Sequence, residues 1–484
     1  MCDRERGWSE VPLVKTWQLI AGSAVAGLAL SAATVAAAGP WDSGQRKAER
    51  DRAASWSLTG GTDHAAGGLP QPAPSAPWVL SAIGSDTPRK AGASSSGGLA
   101  AALEPLLADP ALGTSRTASV VDAATGEVLY ESGSRDAMTP ASTVKIATAS
   151  AALAALGPEY RIRTTVVRGA DPGQVVLVGG GDPSLTAKKK SPAGSGGSLV
   201  ALAADTAQAL KAAGTDSVAL GYDDSLYTGP ARHPIGKNDN LAPLAALMAD
   251  EGRPDDSGSG PVERSTDPAG DTARAFAALL KERGIKVTAD PARAKAPGGA
   301  QPLATTLSTP LGGLVERMLT NSDNDIAEAL ARQTALASGQ PASFEGAEKA
   351  VTDKLASLGV DTAGTRFADG SGLNRADKVT SGLLTGLLVR AADPRRPELR
   401  PVLTGLPVAG FTGTLRTRNA GASQAAGLVR AKTGTLTGVN SLAGTVVAPS
   451  GRLVAFAFLS ENGPDGPTAE RSLDKLAATV AATP

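Results

Sequence analysis

The chain has 484 residues, with 47 basic and 47 acidic side chains and a formal net charge of zero. Its length exceeds that of one ordinary domain, and the balanced charge argues against a nucleic-acid-binding protein, which needs a basic excess or a basic face. One cysteine and two histidines exclude an intrachain disulfide, a cysteine-rich zinc site and an iron–sulfur cluster, and they argue against a catalytic zinc ion or a histidine-dependent triad.

The first feature along the chain is an uncharged apolar segment over residues 17–38. As a helix it would span about 33 Å, close to the thickness of a bilayer core. The basic side chains of residues 1–16 favour a cytoplasmic N-terminus, and Ala36-Ala37-Ala38-Gly39 fits the small-residue pattern of a signal peptidase site. We expect an exported protein. The sequence leaves open whether this segment is a cleaved signal peptide or a retained transmembrane anchor.

Residues 39–97 are rich in proline, glycine, serine and charge, for example in Leu69-Pro70-Gln71-Pro72 and Ser94-Ser95-Ser96-Gly97. Such a composition does not bury a core and is typical of a disordered linker. As a flexible chain it would reach on the order of 45 Å. If the apolar segment is kept, the folded part would therefore work well away from the membrane.

Folded structure is predicted to begin near residue 98. The leucines of residues 99–107 have helical spacing. Residues 118–132 alternate as in a hairpin that turns at Thr125-Gly126, and residues 142–153 read as a second apolar helix. These elements predict the first part of an α/β domain, over residues 98–160.

The middle of the chain, residues 161–305, has alternating runs broken by glycine-rich turns and a polar loop, which predicts a β-rich insertion. From residue 306 the pattern becomes helical. It then ends with strands near residues 428–437, 441–447 and 453–459 and an amphipathic terminal helix. A helix–strand start and a strand–helix finish predict one α/β (α+β) domain, residues 98–160 and 306–484, interrupted by residues 161–305.

Three short motifs occur in order: Ser142-Thr143-Val144-Lys145, Ser322-Asp323-Asn324 and Lys432-Thr433-Gly434. Each alone is a weak signal, but the ordered trio is typical of class A β-lactamases and penicillin-binding proteins. A second S-x-x-K string, beginning at Ser472 in the terminal helix, has no motif behind it. We interpret it as a solvated face with Leu473 buried.

For each motif there is a physical reason why these residue types occur at this spacing. Ser142 and Lys145 are three residues apart at a helix start, so their side chains share a face. Lysine can act as the base if burial and a second cation, for which Lys432 is the candidate, lower its pKa. Ser322 and Asn324 are two residues apart in a turn, so both can point into one cleft.

Lys432-Thr433-Gly434 is predicted to lie on a strand, where Gly434 would let a substrate backbone approach closely. Asp323 is expected to hold its own loop rather than to act chemically. The turn-like string Asp369-Gly370-Ser371-Gly372 is interpreted first as a turn. His64 lies in the predicted linker, and His233 precedes Pro234 in a loop-like context.

From about residue 99 to residue 483 the chain resembles peptidase family S13, the class C low-molecular-mass penicillin-binding proteins, in particular the actinobacterial members. The resemblance extends beyond the trio to several longer blocks: Pro140-Ala141-Ser142-Thr143-Val144-Lys145, Val178-Gly179-Gly180-Gly181-Asp182-Pro183-Ser184-Leu185, Asp369-Gly370-Ser371-Gly372-Leu373-Asn374-Arg375, Gly405-Leu406-Pro407-Val408-Ala409-Gly410, Gly413-Thr414-Leu415 and Ala431-Lys432-Thr433-Gly434-Thr435-Leu436. The long interval between Ser142 and Ser322 also resembles this family. It implies a β-lactamase/transpeptidase-like catalytic domain, a β-sheet flanked by helices, that carries an insertion.

The resemblance implies serine-type D-Ala-D-Ala carboxypeptidase activity. Ser142 would be the acylated nucleophile, Lys145 its base, and Ser322 the relay that passes a proton to the leaving D-Ala amine. Backbone N–H groups of Ser142 and Thr435 would form the oxyanion hole.

Four further residues would bind or orient the substrate: Asn324, Lys432, Thr433 and Thr435. Asn324 would orient the substrate amide, Lys432 would tune the site electrostatically, and the two threonines would bind the terminal carboxylate. No cofactor and no metal ion is implied.

The implied substrate is a peptidoglycan stem peptide that ends in D-Ala-D-Ala, with β-lactam antibiotics as inhibitors and no nucleic-acid partner. The site of action is then outside the cytoplasm, at the cell wall or cell surface, with the protein either secreted or membrane-anchored through residues 17–38. DD-endopeptidase activity on cross-links stays open beside carboxypeptidase activity.

Two alternatives remain. A serine β-lactamase would need a base that clears the acyl-enzyme quickly, and the usual E-x-x-x-N string is absent between Asn324 and Lys432. A penicillin- or wall-binding sensor without turnover is disfavoured because all three catalytic strings are intact.

Overall fold

The computed structural model describes residues 96–189, 196–418 and 424–482. The predicted N-terminal segment, residues 1–16, the apolar segment, residues 17–38, and nearly all of the predicted linker lie outside these ranges. Among the described helices, none is both long and apolar enough to cross a membrane.

One five-stranded antiparallel sheet joins the two ends of the described chain. Its strands are β1 (Ser115–Asp122), β2 (Val128–Ser132), β9 (Arg430–Leu436), β10 (Val439–Val447) and β11 (Leu453–Glu461). Their order is β2-β1-β11-β10-β9, and β1 pairs along its whole length with β11, from Ser115 opposite Glu461 to Asp122 opposite Val454. The predicted hairpin of residues 118–132 and the three predicted C-terminal strands are confirmed.

Helices cover both faces of this sheet, because successive side chains of a strand point to opposite faces. Phe456 and Phe458 pack with α1 (Ser96–Leu107) and α10 (Gly466–Ala482). Ala455 and Ala457 pack on the other face with a larger helical layer. The helices of that layer are α2 (Lys145–Leu156), α5 (Leu311–Asn321), α6 (Asn324–Ala337), α7 (Phe344–Ser357), α8 (Ser381–Ala392) and α9 (Arg400–Thr404).

A second sheet is built wholly from the middle of the chain. It consists of β3 (Arg163–Arg168), β4 (Gln174–Val178), β5 (Ser217–Asp223), β6 (Lys286–Val287) and β8 (Pro302–Leu307), in the order β6-β5-β4-β3-β8, and β7 (Ala292–Arg293) also pairs with β5. Two helices, α3 (Leu199–Ala212) and α4 (Pro268–Glu282), share its core. The pattern of alternation did not predict these two helices.

The described part is thus a mixed α/β structure, as the sequence predicts. The boundaries at residues 98–160, 161–305 and 306–484 stay a proposal for the division into a catalytic domain and an insertion. Short 3₁₀ turns lie before three of the described helices, and one of them, Pro397–Leu399, leads directly into α9. Ala141–Val144 leads directly into α2, and Asp250–Gly252 precedes α4.

Candidate active site

Ser142 and Lys145 lie where a 3₁₀ turn passes into α2, so the predicted helix begins as a tighter turn. Lys145 Nζ lies 3.0 Å from Ser142 Oγ, and the three-residue spacing brings the two side chains together as expected. Lys145 is fully buried. Its ammonium also donates to Asn324 Oδ1 at 2.7 Å and to the Ser371 carbonyl at 2.5 Å.

Burial lowers the pKa of Lys145 from its usual value of 10.5 to about 8. Four carboxyl groups act in the opposite direction: Asp369, Asp323, Glu328 and Asp377. Desolvation therefore outweighs a surplus of negative charge, and near neutral pH a useful fraction of Lys145 is the free amine. That amine, adjacent to Ser142 Oγ, is a suitable base.

Ser322 ends α5 in the left-handed region, with φ 59° and ψ 39°, and its N–H bonds the Met318 carbonyl. Asp323 then caps α6, because its Oδ1 accepts the N–H of Ile326 at 3.0 Å. This confirms that Asp323 holds the loop. The sharp reversal between the two helices turns Ser322 and Asn324 toward the same space.

Lys432, on β9, is fully buried, and its Nζ donates to Ser322 Oγ at 2.9 Å and to the Thr433 carbonyl at 2.8 Å. Burial holds the pKa of Lys432 well below its usual value, and the charge of Lys145 lowers it further. The repulsion between the ammonium groups of Lys145 and Lys432 therefore lowers the pKa of Lys432. For Lys145, burial alone is the main cause of the lowered pKa.

Gly434 lies where β9 passes close to the turn that carries Ser142. A Cβ at this position would lie 2.6 Å from the Pro140 carbonyl oxygen and 3.1 Å from the Ser142 nitrogen. The missing side chain therefore lets β9 approach the turn that carries Ser142. This close approach involves the chain's own backbone, and the predicted approach of a substrate backbone at Gly434 stays a prediction.

The two threonines predicted to bind a carboxylate have different environments. Thr433 is buried, and its hydroxyl lies 2.9 Å from that of Thr414. Thr435 is exposed beside the site and donates to Glu470 Oε1 at 2.9 Å. A substrate carboxylate could therefore accept a hydrogen bond from Thr435 only after it displaces the Glu470 carboxylate.

A cavity of about 290 Å³ opens over these groups, and Ser142, Ser322, Asn324 and Thr435 all line it. A larger cavity of about 710 Å³, beside the β1–β2 hairpin and α8, contains none of the predicted site residues. The smaller cavity is the candidate active site, because it is lined by Ser142 and Ser322, whose hydroxyl groups contact the buried Lys145 and Lys432.

The opposite wall of the cavity comes from residues that the motifs did not identify. The backbone carbonyl of Asn240 accepts a hydrogen bond from Asn324 Nδ2 at 3.0 Å. Arg253 Nε donates to Glu251 at 3.0 Å, and Arg264 Nη1 donates to Asp325 at 2.7 Å. Burial raises the pKa of Glu251 to about 8. These residues have no local sequence pattern, so only the three-dimensional structure places them at the site.

The string at residues 369–372 is the predicted turn, and it also touches the site, because the Ser371 carbonyl accepts from Lys145. His233, which the sequence placed in a loop, is buried and lies 2.9 Å from Asp369 through its Nε2. The second S-x-x-K string is not a solvated face: Ser472 is buried and donates to Asp109 at 2.6 Å, because α10 packs against the Pro110–Leu112 turn. Leu473, the next residue of this string, is buried, as predicted.

Two groups of ligand-type side chains occur in the described ranges: His233 with Glu328 and Asp369, and Glu251 with Asp323 and Asp325. In both groups the carboxylates already accept hydrogen bonds from backbone N–H groups, His233 or arginines. We assign no catalytic step to a metal at either position.

The chain matches a known protein family over most of its length. Residues 99–258 and 254–480 match the D-Ala-D-Ala carboxypeptidase 3 (S13) family. The chain is 39% identical over 423 residues to the carboxypeptidase DacB of Mycolicibacterium smegmatis, covering 85% of this chain and 88% of that protein. It is 29% identical over 463 residues to a D-alanyl-D-alanine carboxypeptidase of Actinomadura sp., covering 78% and 84%.

A solved structure agrees in fold. Penicillin binding protein 4 (dacB) from Haemophilus influenzae superposes with a TM-score of 0.63 at 23% sequence identity, covering 78% of this chain and 98% of that one. This likeness confirms the fold that the resemblance implied.

Proposed function

Because the chain belongs to the D-Ala-D-Ala carboxypeptidase 3 (S13) family, we propose that it is a serine-type D-Ala-D-Ala carboxypeptidase that acts on peptidoglycan stem peptides. The observation that carries the proposal is the buried Lys145 amine, which lies 3.0 Å from Ser142 Oγ, while Ser142 itself lines a cavity together with Ser322. We include cleavage of cross-links, a DD-endopeptidase activity, as a second reaction of the same site.

The reaction begins when neutral Lys145 takes the proton of Ser142 Oγ and the oxygen attacks the carbonyl of the penultimate D-Ala. The backbone N–H groups of Ser142 and Thr435 stabilise the oxyanion, where one donor is typically worth about 2.7–4 kcal/mol. The C–N bond then breaks. The proton that Lys145 took from Ser142 reaches the leaving amine through the hydroxyl of Ser322, which is hydrogen-bonded to Lys432, so Lys145 and Ser322 return to their starting protonation states. Water finally hydrolyses the ester on Ser142.

The remaining predicted residues bind the substrate in this proposal. Asn324 bridges Lys145 and Asn240, which supports a role in orienting the substrate amide. Lys432 tunes the charge of the site, and Thr435 and Thr433 receive the terminal carboxylate. Since Thr435 is bonded to Glu470 in the free protein, we propose that the carboxylate displaces this contact when it binds.

β-Lactams are proposed as inhibitors that acylate Ser142 and leave slowly. The H. influenzae penicillin binding protein 4 has also been solved in complex with a β-lactam. A peptidoglycan substrate implies that the protein acts outside the cytoplasm. We further propose that residues 17–38 direct export, either as a signal peptide or as a membrane anchor, with residues 39–97 as the linker.

The test compares the full-length wild type with Ser142→Ala and, as a matched control, Ser472→Ala, which removes the serine of the other S-x-x-K string. D-Alanine release from a D-Ala-D-Ala-terminated stem peptide and labelling by a fluorescent penicillin are both measured. We expect release and labelling in the wild type and in Ser472→Ala, and neither in Ser142→Ala. Labelling or release that persists in Ser142→Ala would refute the proposal. Labelling of the wild type without release from stem peptides or cross-linked muropeptides would favour a non-turnover sensor, and rapid penicillin hydrolysis would favour a β-lactamase.

A further inference from the structure

The turn at residues 369–372 braces both members of the nucleophile–base pair. Its Ser371 carbonyl accepts from Lys145 Nζ at 2.5 Å. A Cβ on Gly372, whose φ is +84°, would lie 3.0 Å from the Ser142 nitrogen, so the turn also lies directly against the nucleophile's backbone. The position of the turn therefore sets the position of the base relative to Ser142.

Asp369 determines the shape of this turn from within. Its Oδ1 accepts the N–H groups of Ser371 at 3.0 Å and Gly372 at 2.6 Å, and its Oδ2 accepts the N–H of Asn374 at 2.7 Å. Asp369 is buried, and an unsatisfied buried carboxylate oxygen is costly. Any group that completes its hydrogen bonding therefore stabilises the turn.

His233 is that group, and it arrives from a distant part of the chain, after β5. Its Nε2 lies 2.9 Å from Asp369 Oδ2. Its Nδ1 accepts the N–H of Ile235 at 3.2 Å, so in the neutral ring the proton resides on Nε2 and is donated to Asp369. The ring packs edge-on against Phe344, with centroids 5.3 Å apart, which fixes its orientation.

We propose that His233 is a positioning residue for catalysis: by donating to Asp369 it holds the turn whose Ser371 carbonyl fixes Lys145 beside Ser142. The inference rests on the proposed function and adds to it a residue outside the three motifs. His233 does not line the cavity over Ser142 within the described ranges, so it acts through the turn and not on the substrate.

Charge supports the same arrangement. Although burial acts to raise the pKa of Asp369, hydrogen bonding to His233 and Asp377 contributes to lowering it to about 2. Asp377 itself has a pKa well above the usual value because of burial and the neighbouring charge of Asp369. Asp369 is therefore the ionised member of the pair, and its charge is one of those that oppose the effect of burial on Lys145.

The experiment uses a matched pair of variants of the full-length protein. In His233→Gln the amide nitrogen lies near the position of Nε2 and can still donate to Asp369. In His233→Asn the amide is one methylene shorter and does not reach. Stopped-flow acylation by a fluorescent penicillin gives the limiting acylation rate constant and the half-saturating concentration separately, and thermal unfolding gives Tm.

We expect His233→Asn to lower the limiting acylation rate constant about tenfold to a hundredfold, as for a small misplacement of a reacting group, with the half-saturating concentration unchanged. His233→Gln should recover most of that rate. The control Leu279→Ala removes packing from the core of the second sheet, a cluster that does not contain Phe344, and should lower Tm without slowing acylation.

Three results would overturn the proposal: a wild-type rate constant in His233→Asn, an equal loss in the Gln and Asn variants, or an equal loss in Leu279→Ala. Each of these leaves the proposed function intact, because the wild type is still acylated at Ser142. A wild type that is not acylated at Ser142 would instead refute the function itself. The two failures are therefore distinguishable within one data set.

Discussion

The lowered pKa of Lys145 makes the rate of acylation depend on pH in a predictable direction. Only the free amine can accept the proton of Ser142 Oγ, and the pKa of the buried Lys145 is about 8. The reactive fraction is then about 1% at pH 6, about 9% at pH 7 and about 91% at pH 9. The second-order rate constant for acylation should therefore rise about tenfold per pH unit below pH 7 and level off near pH 9.

The assay measures labelling of the full-length protein by a penicillin without ionisable groups in this range, from pH 6 to pH 9.5, with thermal unfolding in the same buffers to show that the fold is kept. Lys145→Arg, which stays charged throughout, should not acylate at any of these pH values. A rate constant that still rises tenfold per pH unit up to pH 9.5, as expected for a lysine with the usual pKa of 10.5, would refute the argument from burial. A rate that does not change between pH 6 and pH 8 would refute the role of Lys145 as base.

Three further predictions concern neighbouring groups. Ser322→Ala should lower kcat for D-alanine release about 10²- to 10⁴-fold, because it removes the proton relay; an unchanged kcat would assign that role elsewhere. Glu470→Gln should lower KM for carboxylate-terminated peptides about two- to fivefold, because it removes a like charge next to Thr435, and an equal effect on C-terminally amidated peptides would contradict this reason. Gly434→Ala should abolish penicillin labelling and lower Tm, because its methyl group would lie 2.6 Å from the Pro140 carbonyl oxygen; normal labelling would show that β9 can move aside.

Residues close in sequence were the most predictable part of the site. Ser142 and Lys145 share one helical turn, so their contact follows from helix geometry alone. The motif trio predicts only that Lys432 belongs to the same site, because its contact with Ser322 depends on how β9 runs past the end of α5. Hydrophobic periodicity describes single helices and strands, so it does not predict a contact between a strand and a helix end that are distant in sequence.

What the sequence missed depends on contacts between distant segments. Asn240 and Arg264 reach the cavity from the middle of the chain, and no local pattern marks them. Ser472 was expected to be solvated because its helix position alone does not reveal Asp109, its partner far along the chain. The helix Leu199–Ala212 was missed because six of its 14 residues are alanine, whose small side chain gives a weak hydrophobic pattern.

The pairing of β1 with β11 determines at which stage of synthesis and folding Ser142 becomes reactive. Ala118 and Phe458 are strand partners roughly 340 residues apart, and pairing over such a separation is a late and slow event in folding. Because β11 lies between β1 and β10, the sheet stays divided until the last strand has emerged, and β9 has no fixed place beside Ser142. We therefore expect a chain still being synthesised to be unreactive toward penicillin, and premature termination anywhere before β11 to yield a protein without a reactive nucleophile.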